Sequence, residues 1–140
     1  MQKLSDIMSR DLQTVAPTAT LQEAAEHMRK RDVGSLPVCD GTKLVGIITD
    51  RDIAIRSTAK GQDPKTTRVS EVMSSEISRC FEDADVSDVV KAMETKQLRR
   101  IPIMGRNEQL VGIVALADLA RSSASDRTKA DSLEGVSKPR

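Results

Sequence analysis

Leu44-Val45-Gly46-Ile47-Ile48-Thr49-Asp50-Arg51-Asp52 runs from an apolar stretch straight into residues that favour a helix start. The first five residues suit a buried strand. Thr49 or Asp50 can then cap a helix, with Asp52 about one turn in. The order returns as Leu110-Val111-Gly112-Ile113-Val114-Ala115-Leu116-Ala117-Asp118. A strand-to-helix junction that occurs twice implies a duplicated unit.

The duplication extends outward from that junction. With the chain slid along itself, Ser5-Asp6-Ile7-Met8-Ser9 meets Ser70-Glu71-Val72-Met73-Ser74, Met28 meets Met93, and Leu36-Pro37-Val38 meets Ile101-Pro102-Ile103. The register slips by one residue where Gly105-Arg106-Asn107-Glu108 stands opposite Asp40-Gly41-Thr42, a polar stretch in which a hairpin turn absorbs an insertion. Beyond the slip, Asp52-Ile53-Ala54 matches Asp118-Leu119-Ala120.

Each repeat reads as β-α-β-β-α. Residues 13–16 form a strand ended by Pro17. Thr20-Leu21-Gln22-Glu23 is a capping box, followed by Leu21, Ala24, Ala25 and Met28 at helical spacing, which predicts a helix to about Arg31. Residues 35–39 and 43–49 are strands joined through Asp40-Gly41, and residues 50–59 a second helix. The second repeat predicts strand 77–81, helix 86–96, strands 100–104 and 109–115, and helix 116–122. Repeat one is assigned to residues 1–62 and repeat two to 63–122, with 60–67 a polar linker containing Gly61 and Pro64. Residues 123–140, Ser-rich and short of large apolar side chains, are expected to be a disordered tail.

Composition narrows the function. The 22 Lys and Arg against 21 acids leave a net charge of +1, so no bulk field gathers a polyanion, and nucleic acid is not the expected partner. With one Phe and no Trp or Tyr, a bound base needs an aliphatic clamp instead of a stacking platform. Cys39 and Cys80 lack Cys-x-x-Cys spacing and read as core thiols, and His27 reads as a surface residue, so no metal site is expected. No nucleophile-base pair or phosphate-binding P-loop is present, so the chain is not expected to be an enzyme. Without a leader-like or spanning apolar run, a cytoplasmic protein with no membrane partner is expected.

Gly46-Ile47-Ile48-Thr49-Asp50-Arg51-Asp52, at a strand-helix junction of a duplicated unit, resembles the signature of cystathionine β-synthase (CBS) domains, and the resemblance covers roughly residues 3–121. It implies an α+β fold in which two repeats pack about a pseudo-twofold axis into one disc with two clefts. It also implies that such discs dimerise, and that the clefts hold AMP, ADP, ATP, NAD or S-adenosylmethionine to regulate an enzyme, channel or transporter.

The residues supply a chemistry for this. Free N–H groups and the dipole at a helix start favour phosphate, to which the Thr49 hydroxyl can donate. Asp52 is an acceptor-only carboxylate suited to a ribose diol. Arg51 and Arg56 can neutralise phosphate, while Val15, Ala16, Leu36, Pro37 and Val38 form the aliphatic clamp, with backbone near Thr14 reading the base edge. In repeat two, Ala115 lacks the hydroxyl, leaving Asp118 as ribose acceptor, with Arg79, Arg99 and Arg100 to compensate or, for Arg99 and Arg100, to reach the first cleft. Unequal sites follow, the Thr49–Asp52 one the tighter. The expected function is a regulatory sensor that needs no cofactor and takes an adenine nucleotide as its regulatory ligand, as a homodimer. The alternative is a ligand-free interaction module in which Thr49 and Asp52 merely cap a helix.

Overall fold

The computed structural model describes residues 3–121. In chain order these form α1 (Leu4–Ile7), α2 (Leu21–Arg31), β1 (Ser35–Asp40), β2 (Lys43–Thr49), a π-helix (Asp52–Ser57) running into a 3₁₀ turn (Thr58–Lys60), and a further 3₁₀ turn (Val69–Glu71). There follow β3 (Cys80–Phe81), α3 (Val86–Lys96), β4 (Arg100–Met104), a 3₁₀ turn (Arg106–Glu108), β5 (Leu110–Ala115) and α4 (Leu116–Arg121). The fold is α+β, as the sequence implies. The expected tail, 123–140, and the expected last residue of α4, Ser122, lie outside the described residues.

The helices begin where their caps are. Thr20 Oγ1 accepts from the Glu23 N–H at 3.2 Å, and α2 ends at Asp32 in a left-handed conformation (φ 53°) behind Arg29, Lys30 and Arg31, whose charges suit a helix C-terminus. Leu21, Ala24 and Met28 are buried on one face; Val86, Val89, Val90 and Met93 do the same in α3. The β1–β2 hairpin is antiparallel, Asp40 pairing with Lys43 and Ser35 with Thr49, and Gly41 takes φ 65° in the turn. The β4–β5 hairpin repeats the pattern with its longer turn, where Asn107 and Glu108 adopt positive φ. Each hairpin has a register shift at the same place, between Val38 and Cys39 and between Ile103 and Met104.

Two expected strands are nearly absent, for one physical reason. Of residues 13–16 only Val15 pairs: its N–H donates to Pro37 O at 3.1 Å and its carbonyl accepts from Cys39 N–H at 3.0 Å. The next rung toward the N-terminus requires an N–H at Pro37, which proline lacks. Pro102 stands likewise in β4, and the expected strand 77–81 shortens to Cys80–Phe81.

The described residues divide into two compact units, Gln13–Ile77 and a second composed of residues 3–12 with 78–121. Repeats in sequence and units in space therefore divide the chain differently. The segment that opens each repeat completes the sheet of the other repeat's unit. Ser74 exchanges two hydrogen bonds with Ile47 of β2, both 2.9 Å, and Ser9 exchanges two with Ile113 of β5, at 2.8 and 3.0 Å. The glycines are the seats for these segments. A Cβ at Gly46 would come within 2.6 Å of Met73 Sδ and 2.9 Å of Ser74 O; one at Gly112 would come within 2.8 Å of Met8 Cγ. Val69 and Val72 thereby join the core of Val15, Leu21, Ala24, Met28, Leu36, Val38 and Ile48, while Leu4, Ile7 and Met8 join that of Val86, Val89, Val90, Met93, Ile101, Ile103, Val114 and Leu119.

Residues 60–67 are more than a linker. The carbonyls of Pro64 and Thr67 accept from Gln22 and Leu21 N–H at 3.1 and 3.0 Å, satisfying donors that the first turn of α2 leaves open.

Candidate functional site

The Thr49–Asp52 junction is built by β2 and the helical stretch that follows it. Asp50 N–H donates to Gly34 O at 2.9 Å, fixing where the chain leaves the sheet. Asp52 N–H donates to Thr49 Oγ1 and Thr49 N–H donates to Asp52 Oδ2, each at 3.0 Å. This is a reciprocal cap. It uses one lone pair of the hydroxyl and one carboxylate oxygen. The hydroxyl keeps its hydrogen to donate and Oδ1 keeps its acceptor capacity. Both residues are half-buried, within reach of solvent.

The equivalent junction in the other unit is half of this arrangement. Leu116 N–H donates to Arg99 O at 2.8 Å, as Asp50 does to Gly34, and Ala115 N–H donates to Asp118 Oδ2 at 3.0 Å. Ala115 has no hydroxyl with which to answer. Arg99 thus stands at the start of α4, and Arg100 pairs in register with Ala115, so both arginines flank the junction of their own unit. Arg79 lies 3.8 Å from Glu108, a loose surface pair.

The remaining expected site residues separate. Val15, Leu36 and Val38 are 6%, 1% and 0% exposed and belong to the hydrophobic core of their unit, so their side chains are not an open clamp. Pro37 alternates with Leu36 and Val38 onto the opposite face of β1 and is buried there as well, so it too is not an open clamp. The Val15 backbone is committed to β1, so it does not read a base edge. The Thr14 carbonyl and Ala16 N–H point to the other edge by alternation, and Ala16 is exposed. Arg51 is exposed, its N–H bonded to Asp50 Oδ1 at 2.8 Å. Arg56 donates from Nη1 to Val72 O at 3.1 Å. Beside it opens a hollow of about 350 Å³ lined with Arg56, Met73, Ser74, Ser75 and Glu76. Sequence reasoning did not gather residues 73–76 there; the signal available was the repeated Met-Ser at 8–9 and 73–74.

Cys39 is buried, whereas Cys80 is only half-buried against its core, a partial departure from the expected pair of core thiols. Burial raises the pKa of both, and Asp88 adds to the rise at Cys80. Among the described residues no group of three or more His, Cys, Asp or Glu gathers to hold a metal ion, and no helix is long and apolar enough to cross a membrane. His27 is exposed on α2.

Together the fold and these junctions define a duplicated α+β module with one complete and one partial strand-to-helix cap. The chain belongs to the CBS domain family, which matches residues 4–57 and 69–125. It is 42% identical over 137 residues to the CBS domain-containing protein YhcV of Bacillus subtilis, covering 98% of this chain and 96% of that one. It is 40% identical over 117 residues to hypoxic response protein 1 of Mycobacterium tuberculosis, covering 83% and 81%. Among solved structures, Hypoxic Response Protein I with two coordinated zinc ions is similar at TM-score 0.78 and 38% identity, covering 87% of this chain and 99% of that one. The CBS domain pair of protein MJ0100, in complex with 5′-methylthioadenosine and S-adenosyl-L-methionine, is similar at TM-score 0.71 and 30% identity, covering 86% and 98%.

Proposed function

We propose that this chain is a non-catalytic regulatory module that binds an adenine nucleotide or a related adenosyl compound, with the Thr49–Asp52 junction as its stronger site. The observation that carries the reading is the residual capacity of that cap: a hydroxyl hydrogen for a phosphate or similar acceptor, and Oδ1 for a ribose diol. The Thr14 carbonyl and Ala16 N–H supply an acceptor and a donor for the edge of a base. Exposed Ala16, instead of the buried Val15, Leu36, Pro37 and Val38, offers the apolar surface. The adenosyl ligands of the MJ0100 pair, at 30% identity, support the ligand class. The module acts in the cytoplasm as a homodimer or on a partner enzyme or transporter.

Ala115, which has no hydroxyl where the first junction has Thr49, makes the second junction the weaker site, with Asp118 as ribose acceptor and Arg99 and Arg100 as its cations. One observation favours a ligand-free interaction module: Thr49 and Asp52 already satisfy each other, which suffices to cap a helix. A thermal-shift series with AMP, ATP, NAD and S-adenosylmethionine separates the readings. A ligand at 100 times its dissociation constant adds about 2.7 kcal/mol to the folded state. A rise in Tm with at least one of them is expected, and no rise with any decides for the interaction module.

A further inference from the structure

Arg56 rides on an unusual piece of backbone. The π-helix Asp52–Ser57 spans Asp52-Ile53-Ala54-Ile55-Arg56-Ser57, where the second repeat has Asp118-Leu119-Ala120-Arg121-Ser122. Aligning Arg56-Ser57 with Arg121-Ser122 leaves Ile55 as an extra residue in the first repeat, and a π-turn is the way a helix takes up a single insertion. Ile55 is accordingly pushed outward, 56% exposed. The register of the turn is soft: the Thr58 N–H is shared between Ile53 O and Ala54 O, five and four residues back. Ser57, 1% exposed, has no partner for its Oγ, so this part of the helix lacks a stabilising bond.

From this turn the Arg56 guanidinium reaches the carbonyl of Val72, the residue that leads into Met73-Ser74 on the edge of β2. The bond is to a neutral acceptor, the side chain is exposed, and the hollow beside it leaves room to move. Arg56 lies one turn beyond Asp52. A phosphate held at the Thr49–Asp52 junction offers the guanidinium a charged acceptor, which is the stronger partner.

We infer that Arg56 is a two-position latch: on Val72 O in the ligand-free chain, and on the phosphate of a bound nucleotide, so that phosphate binding loosens the Val72–Ser74 edge of β2. The inference rests on the functional reading above and adds to it a phosphate-specific effect on a segment that opens the second repeat. Only a ligand with differential affinity for the two positions moves the latch, and adenosine, lacking phosphate, does not.

The test compares AMP with adenosine on the full chain by calorimetry and by hydrogen exchange at the amides of Ile47 and Ser74. AMP is expected to bind about tenfold or more tightly than adenosine, the yield of a charge-assisted bond of about 1.4 kcal/mol, and to speed exchange at both amides, which adenosine leaves unchanged. Arg56→Ala should reduce the preference for AMP to what the Thr49 hydroxyl and the helix start supply, and speed the same amides without ligand. Equal effects of AMP and adenosine on exchange, or an Arg56→Ala chain whose amides exchange as in the wild type, overturn the latch while leaving the binding reading intact. Failure of the wild type to bind either compound overturns the binding reading, and the ligand-free exchange of Arg56→Ala still decides whether Arg56 holds the Val72–Ser74 edge.

Discussion

Residue 49 and its counterpart 115 show how one hydroxyl changes a junction. At Thr49 the cap is reciprocal; at Ala115 the Asp118 carboxylate accepts a backbone N–H, and residue 115 has no hydroxyl to make the return bond. Thr49→Ala should therefore cost about 1 kcal/mol of stability, the usual value of an N-terminal cap, and Ala115→Thr should recover up to about that much by completing the second box. Urea denaturation at constant m-value measures both. If Thr49→Ala left the midpoint unchanged, the cap would not be contributing. The residues that carry this comparison were legible in the sequence, because a hydroxyl and a carboxylate three apart at a strand-helix junction have few structural uses. The aliphatic clamp was less so. Leu36, Pro37, Val38 and Cys39 are all buried, so both faces of β1 are covered, and that covering comes from partners that are far away in sequence.

Elements with local punctuation were equally legible. The capping box at Thr20, the Asp40-Gly41 turn and the helical spacing of α2 and α3 place these elements where the structure has them. Helix α1 and the 3₁₀ turn Val69–Glu71 carry little such signal, since Leu4, Ile7, Val69 and Val72 are buried by contacts their own short segments cannot supply. The single bridge at Val15 and the two-residue strand at Cys80–Phe81 follow from Pro37 and Pro102 acting across a strand pair, an effect outside the reach of propensity. The π-turn lies beyond the matched stretch, which ends at Ala54 and Ala120, so the repeat comparison carries no signal for it. Deleting Ile55 should convert Asp52–Ser57 to an α-helix of the second repeat's pattern and raise Tm by roughly 4–8 °C for a gain near 1 kcal/mol. Differential scanning calorimetry reads it. A fall in Tm would mean that the insertion is integral to the unit and not accommodated by it.

At the scale of the whole chain, duplication is combined with exchange of opening segments. Removing residues 1–12 takes Leu4, Ile7 and Met8 from one core and the Ser9 pairing from β5, so that unit should unfold at much lower denaturant while the Gln13–Ile77 unit keeps its own hydrogen-exchange protection. Gly112→Ala should weaken the same unit by about 1–3 kcal/mol through its clash with Met8, and Gly46→Ala the other through Met73. Simultaneous loss of protection in both units from either glycine change would contradict the assignment of each seat to its own unit.

The proposed function rests on the difference between the two junctions, and titration calorimetry of the full chain with AMP tests it most directly when wild type, Asp52→Asn and Asp118→Asn are compared. Asparagine keeps an acceptor for the backbone N–H of residue 49 or 115 and removes the negative charge and second carboxylate oxygen. The account predicts a dominant site that weakens tenfold or more, about 1.4 kcal/mol, in Asp52→Asn and persists in Asp118→Asn. Binding unchanged by Asp52→Asn, or two equivalent sites in the wild type, would contradict it.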